Sequence, residues 1–239
     1  MSTPTNKKGN IMLIRKDSKY EPKTINDIIW GNAESRLRIE DIVSGAEALP
    51  YCGKSAILLY GVYGTGKTTL ANLLPNAIEK GKADEDLAIE AEFIGCQQGF
   101  NGPQVMSLIE RVLSKTSFNA SGLHYFVLDE VDNLTKLAQQ SLKSALNTNR
   151  AVFILTTNNI SELDKGLKDR CVLVEMNAAA VSDYLPLAKN LVSDMGVVMS
   201  DEDLLPTISA ANGSFRNLFH NVGRLARRKG QQPPPNVIY

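Results

Sequence analysis

The chain has 239 residues, 43% hydrophobic and 22% charged, enough to bury one sizeable core with a small satellite and too many for a peptide-sized module. Lys plus Arg and Asp plus Glu number 26 each, so the formal net charge is zero and any contact with a polyanion or a membrane must come from a local patch. Cys52, Cys96 and Cys171 are odd in number and widely spaced, against a disulfide framework or paired zinc ligands, and the apolar run 11–14 is too short for a signal peptide or a membrane span. A reducing cytoplasm without a membrane partner is the expected setting.

In chain order, short apolar runs rich in β-branched residues alternate with longer amphipathic stretches, the pattern of a parallel sheet flanked by helices. Strands are predicted over 56–60, 91–95, 124–129, 151–156 and 171–176, each apolar on both faces. Helices are predicted over 67–78, 103–115 and 132–147, long enough for the crossovers that parallel strands need, with Pro103 suited to a helix start. After Met176 only helical patterns follow, over 180–194, 201–211 and 214–229, with Ser200 as an N-cap and Asn212-Gly213 between the last two. The expected organisation is an α/β domain over 1–177, a small all-helical lid over 178–230, and a Pro-rich tail over 231–239. Its prolines extend as polyproline II, either as a frayed end or as a docking peptide.

Gly61-Val62-Tyr63-Gly64-Thr65-Gly66-Lys67-Thr68 matches the G-x-x-x-x-G-K-[ST] phosphate-binding loop, and it lies between a predicted strand and a predicted helix as that motif requires. Gly61, Gly64 and Gly66 let the backbone wrap phosphates. Thr65, Lys67, Thr68 and Thr69 lead into a helix N-terminus that favours anions, Lys67 reaches the β- and γ-phosphates, and Thr68 offers a hydroxyl to Mg²⁺.

A second strand ends in Asp129-Glu130-Val131-Asp132, at the carboxyl edge of the sheet where the phosphate loop also emerges. Asp129 suits a Mg²⁺ water shell, and Glu130 suits polarising an attacking water, the arrangement of P-loop NTPases, so hydrolysis is expected beyond binding. Asp132 reads more simply as an acid at the start of the next helix. The strand 151–156 is followed by Thr157-Asn158-Asn159; an amide there can hold the attacking water or simply form a turn, and Asn158 is chosen over Asn159 as the γ-phosphate sensor.

Taken together, these residues resemble the AAA+ ATPases, and among them the clamp-loader small subunits of the replication factor C type, over about 19–229. Lys19-Tyr20-Glu21-Pro22-Lys23 is similar to the family's adenine-pocket opening with Glu21 in place of an arginine, which implies Tyr20 and Pro22 beside the base. Asn158 falls at the first sensor. Asp169-Arg170-Cys171 resembles the serine-arginine-cysteine motif, which implies Arg170 as an arginine finger acting in trans, although Asp169 offers Arg170 a partner within the chain. Gly213-Ser214-Phe215-Arg216-Asn217 resembles the second sensor, which implies a contact from Arg216 to the γ-phosphate. The resemblance further implies ATP with Mg²⁺, assembly with its own or related AAA+ subunits in a ring or spiral, and action on DNA with a sliding clamp or helicase. The family's third, helical collar domain has no counterpart in this sequence, which is expected to affect how it assembles.

Two function classes remain open on the sequence. One is an oligomeric, replication-type ATPase. The other is an AAA+ remodeller or regulator, such as a helicase loader or a transposition or defence regulator, acting on a protein with little DNA contact. Arg216, Arg224, Arg227, Arg228 and Lys229 are basic, and no acid lies between Gly213 and the end of the chain. Arg224, Arg227 and Arg228 share a helix face and offer phosphate contacts, or else they complement the helix dipole.

Overall fold

The five apolar runs pair into one parallel sheet, ordered β2-β3-β4-β1-β5, in a computed structural model that describes residues 19–82, 89–96 and 101–230. The strands are β1 (Ala56–Tyr60), β2 (Ala91–Gly95), β3 (His124–Asp129), β4 (Ala151–Thr157) and β5 (Cys171–Glu175). The helices are α1 (Ala33–Ser44), α2 (Lys67–Lys82), α3 (Gly102–Leu113), α4 (Lys136–Ala145), α5 (Lys165–Asp169), α6 (Leu185–Asp194), α7 (Asp201–Ser209) and α8 (Phe215–Gly230). The polyproline reading of 231–239 and the apolar run 11–14 lie outside the described residues.

Alternation along the strands divides the core between two faces. Ile57, Leu59, Tyr125, Val127, Val152 and Ile154 pack with Ile39 and Ile42 of α1 and Leu70, Leu74 and Ile78 of α2. Leu58, Phe126, Leu128, Phe153 and Leu155 pack on the other face with Val105 and Ile109 of α3, Leu142 of α4 and Leu167 of α5. Phe126 and Phe153 stack there, with ring centroids 4.9 Å apart. A third cluster, built from Tyr184, Leu191, Leu204, Ile208, Leu218 and Val222, joins α6, α7 and α8. Among the described residues no helix is long and apolar enough to cross a membrane.

Three local differences from the sequence pattern have identifiable causes. Helix α1 is not announced by periodicity, because charged residues interleave with Ile39 and Ile42. Asn32 caps it by accepting from the Glu34 and Ser35 amides, and Arg36–Glu40 and Arg38–Glu34 pairs span its exposed turns. The helix expected over 132–147 is instead a 3₁₀ turn at Val131–Asn133 followed by α4, whose N-cap is Thr135. Asp132 therefore does not open α4: its Oδ1 accepts a hydrogen bond from the Thr157 hydroxyl at 2.9 Å. The stretch 180–194 likewise opens as a 3₁₀ turn, Val181–Tyr184, before α6, whose second residue, Pro186, has no N–H to donate.

Candidate active site

The sheet order places β4 between β1 and β3, so the loop after β1 and the acids after β3 flank the end of β4 on one edge. The phosphate-binding loop turns through Gly61, Gly64 and Gly66 at φ 142°, 80° and 92°, conformations that a side chain would strain. Thr65 is buried and its hydroxyl donates to the Val62 carbonyl at 3.0 Å. Lys67 is only 6% exposed and its Nζ donates to the carbonyls of Gly61 (3.0 Å) and Val62 (2.7 Å). Burial pushes its ammonium below the ordinary lysine pKa, opposed by the charges of Asp129, Asp132 and Glu130. Thr68 is exposed at the first turn of α2, with half-buried Thr69 beside it.

The Thr68 hydroxyl lies 2.9 and 3.2 Å from the two Asp129 carboxylate oxygens and donates its proton to them. The register that pairs Leu128 with Leu155 puts Asp129 beside Thr156. The Thr156 hydroxyl donates to Asp129 Oδ1 at 2.5 Å and accepts the Glu130 N–H at 2.9 Å. Glu130 takes a left-handed conformation, φ 58° and ψ 54°, uncommon for a side-chain-bearing residue and fixed here by that bond. Its Oε2 accepts from Asn133 Nδ2 at 3.2 Å, and Asn133 Nδ2 also donates to the Cys96 carbonyl at 3.1 Å. The Cys96 thiol is pushed up to about 12, first by burial and then by Asp129, Asp132 and Glu130, so it stays neutral beside the acids. A hydroxyl and a carboxylate at this spacing are hard oxygen donors of the kind Mg²⁺ takes, so the residues fit that ion.

Asn158 is half-buried at the end of β4. Asn159 is exposed and engaged in its own turn, its amide donating to the Thr157 hydroxyl and its Oδ1 accepting from Ser161. Arg216 is exposed in the first turn of α8, and that turn rests on the phosphate loop: the Phe215 N–H donates to the Gly64 carbonyl at 2.9 Å. Tyr20 packs on Phe219 of α8, with ring centroids 6.0 Å apart, and its hydroxyl bonds Asp194; Pro22 is half-buried beside it.

Arg170 lies apart from all of these. It precedes Cys171, which pairs with Ala56 at the start of β1, whereas the phosphate loop follows the strand's end. Five strand residues separate the two edges, roughly 16 Å at about 3.3 Å per residue. Its Nε donates to Asn147 Oδ1 and its Nη1 to the Gly166 carbonyl, both at 2.8 Å. The alternative pairing with Asp169 does not occur.

Sequence reading had no role for Thr156, Thr157 or Asn133. The available signal was a threonine doublet ending an otherwise apolar buried strand. Both threonines are essentially inaccessible, at 1% and 0%, so their hydroxyls must find partners inside.

Residues 57–177 match the family described as ATPase family associated with various cellular activities (AAA). Curated relatives include replication factor C subunit 4 of Saccharomyces cerevisiae, 25% identical over 92% of this chain and 66% of the relative. The replication factor C large subunit of Methanosarcina mazei is 26% identical over 88% of this chain and 33% of its own length. The chain thus spans between a third and two thirds of these relatives. Among solved structures, the Thermotoga maritima RuvB Holliday junction branch migration motor aligns with a TM-score of 0.62 at 19% identity, covering 87% of this chain and 64% of that one. That likeness is one of fold. With half of its length matching the family and a phosphate loop facing paired carboxylates across β4, the chain belongs to the ATPase family associated with various cellular activities.

Proposed function

We propose that this chain binds ATP with Mg²⁺ on the loop 61–68 and hydrolyses it as a subunit of an oligomeric, clamp-loader-like assembly acting on DNA. The observation that carries the reading is one continuous network, Thr68 to Asp129 to Thr156 to the Glu130 amide, which holds a metal-type oxygen pair and a second carboxylate next to the phosphate loop. Bound Mg²⁺ would neutralise phosphate charge and orient the phosphates. Around it, the loop amides of Gly64, Thr65 and Gly66 and the start of α2 receive phosphate oxygens, Lys67 and Arg216 supply positive charge, and Thr68 with Asp129 presents oxygens to the ion. Glu130 takes the proton of the attacking water, Asn158 orients that water, and Tyr20 and Pro22 flank the base.

Arg170, on the far edge of the sheet and held by Asn147 and Gly166, is assigned to a neighbour's site. A guanidinium supplied in trans stabilises the transferring phosphoryl group and makes turnover conditional on assembly. The words subunit and replication in the relatives' names support subunit partners and a replication setting; DNA as cargo and a sliding clamp or helicase as a further partner belong to the same proposal. Residues 1–177 are the nucleotide-binding domain and 178–230 the lid. Cys52, Cys96 and Cys171 are free thiols, which agrees with a cytoplasmic setting.

Calorimetry and turnover test the reading. Lys67→Ala should lose ATP affinity, and Glu130→Gln should bind ATP yet hydrolyse it at least about 100-fold more slowly. Arg170→Ala should bind normally but turn over only when mixed with Lys67→Ala, whose Arg170 is intact. Folded wild-type protein without affinity for ATP and Mg²⁺ would refute the reading.

A further inference from the structure

Helix α8 runs 16 residues, about 24 Å, and contains no aspartate or glutamate. Its buried side is Leu218, Val222, Gly223 and Ala226, which face α6 and α7. Opposite these, within about 120° of arc at 3.6 residues per turn, lie Asn217, His220, Asn221, Arg224, Arg227 and Arg228. Arg224 and Arg228 are exposed and Arg227 is half-exposed. Lys229 points elsewhere, paired with Asp203 of α7. Among the described residues no carboxylate forms an ion pair with Arg224, Arg227 or Arg228.

Complementing the helix dipole does not account for this face. That effect is confined to the last turn, whereas Arg224 lies six residues before the end of α8. A protein partner is also poorly matched, because interface cores need apolar or aromatic anchors and the arc carries none. The missing aromatics equally disfavour a single strand, whose bases need stacking platforms. What fits is a regular polyanion. Arg224 and Arg228 stand about 6 Å apart along the helix, close to two rises of about 3.4 Å per nucleotide along a duplex axis, and a guanidinium takes two phosphate oxygens in its planar fork.

We infer that the Asn217–Arg228 face of α8 is a docking surface for the phosphodiester backbone of a nucleic-acid duplex, sequence-independent and separate from the nucleotide site. The inference rests on the reading of the cargo as DNA but not on the hydrolytic residues. The α8 rod meets the phosphate loop through the Phe215–Gly64 bond at its other end, so the cargo would bear on the lid itself.

Fluorescence anisotropy of a labelled duplex against the full chain, over a salt series, tests it. Three phosphate contacts predict a slope of log K against log salt of about −3, and Arg224→Glu/Arg228→Glu should lower affinity at least about tenfold at low salt and bring the slope to about −1. Arg224→Lys/Arg228→Lys should keep most of the slope, because the charge remains. ATP binding, measured on the same samples, should match wild type in both variants and shows that they are folded. Wild-type slope and affinity in the Glu pair would overturn the inference while leaving the DNA reading intact. No duplex binding by wild type would overturn both. Binding to an acidic peptide but not to the duplex would assign the face to a protein partner and overturn it too.

Discussion

Replacing Thr156 by valine keeps the shape of the side chain and removes only the hydroxyl, so it isolates what that group does. The hydroxyl makes two bonds: it donates to the Asp129 carboxylate at 2.5 Å and accepts the Glu130 amide at 2.9 Å, in a position 1% exposed to solvent. A hydrogen bond to a charged group contributes about 1.5–3 kcal/mol, and an amide left without a partner costs about 1–3 kcal/mol. Some of the second cost is recovered because Glu130 itself reaches water, so the expected loss of stability is about 2–4 kcal/mol. The effect on chemistry is separate. Asp129 would keep its bond from Thr68 but lose its second restraint, and Glu130 would lose the bond that fixes its left-handed turn. Removing a partner of this kind from a metal-site carboxylate usually costs about 10–100-fold in metal affinity or activity. The assay is steady-state ATP turnover as a function of Mg²⁺, alongside thermal unfolding. Valine should raise the Mg²⁺ requirement and lower turnover with ATP affinity little changed, whereas serine, which keeps the hydroxyl, should restore both. A folded valine variant with wild-type turnover and Mg²⁺ dependence would refute this role, and so would a serine variant as impaired as valine.

Gly213→Ala should destabilise the join between sheet and lid by about 2–4 kcal/mol, since the added Cβ would sit 2.1 Å from that of Ala178 at a φ of 75°; adding Ala178→Gly should recover the part due to the clash, read from melting temperatures. Tyr125→Phe should cost about 1–2 kcal/mol, because buried Glu79 would lose the Tyr125 hydroxyl but keep two donors from Ser121, and denaturant titration measures it. Asp27 accepts from the Lys23 and Thr24 amides and the Thr24 hydroxyl, and the Thr24 amide first of all holds its carboxyl below the usual carboxylate range. Its contribution is present above the ordinary carboxylate pKa, about 3.9, and lost as pH falls through the lowered folded value. Asp27→Asn should therefore reduce the acid sensitivity of the 20–28 segment, followed by NMR.

Much of the fold follows from patterns that local chemistry imposes. A strand buried on both faces must be largely apolar, which makes β1, β3 and β4 visible as runs. The glycines of the phosphate loop are readable because few other residues tolerate that turn, and the lysine because its charge follows them at the fixed spacing of the motif. Helix α1 was not readable, because only two of its apolar residues, Ile39 and Ile42, are fully buried, and a cap and surface ion pairs support the rest. The 3₁₀ turns before α4 and α6 were hidden for a related reason. The Ala138 amide donating to the Thr135 hydroxyl, the Thr157 hydroxyl donating to Asp132, and the missing amide of Pro186 override a helical hydrophobic period without altering it.

Sequence by itself picked out the candidates for the chemistry: the loop 61–68, the acids Asp129 and Glu130, and the arginines 170 and 216 are identifiable as residue types at fixed spacings. Only the tertiary structure decided how they are divided. The strand order inserts β4 between the phosphate loop and the acids and so makes Thr156 their link, and it carries Arg170 to the opposite edge; the lid sets the first turn of α8, with Arg216 exposed in it, against the loop through the Phe215 N–H. Strand order and lid placement are set by the burial of whole faces against one another, a sum over many weak contacts between residues far apart in the chain, and a local motif carries no record of that sum.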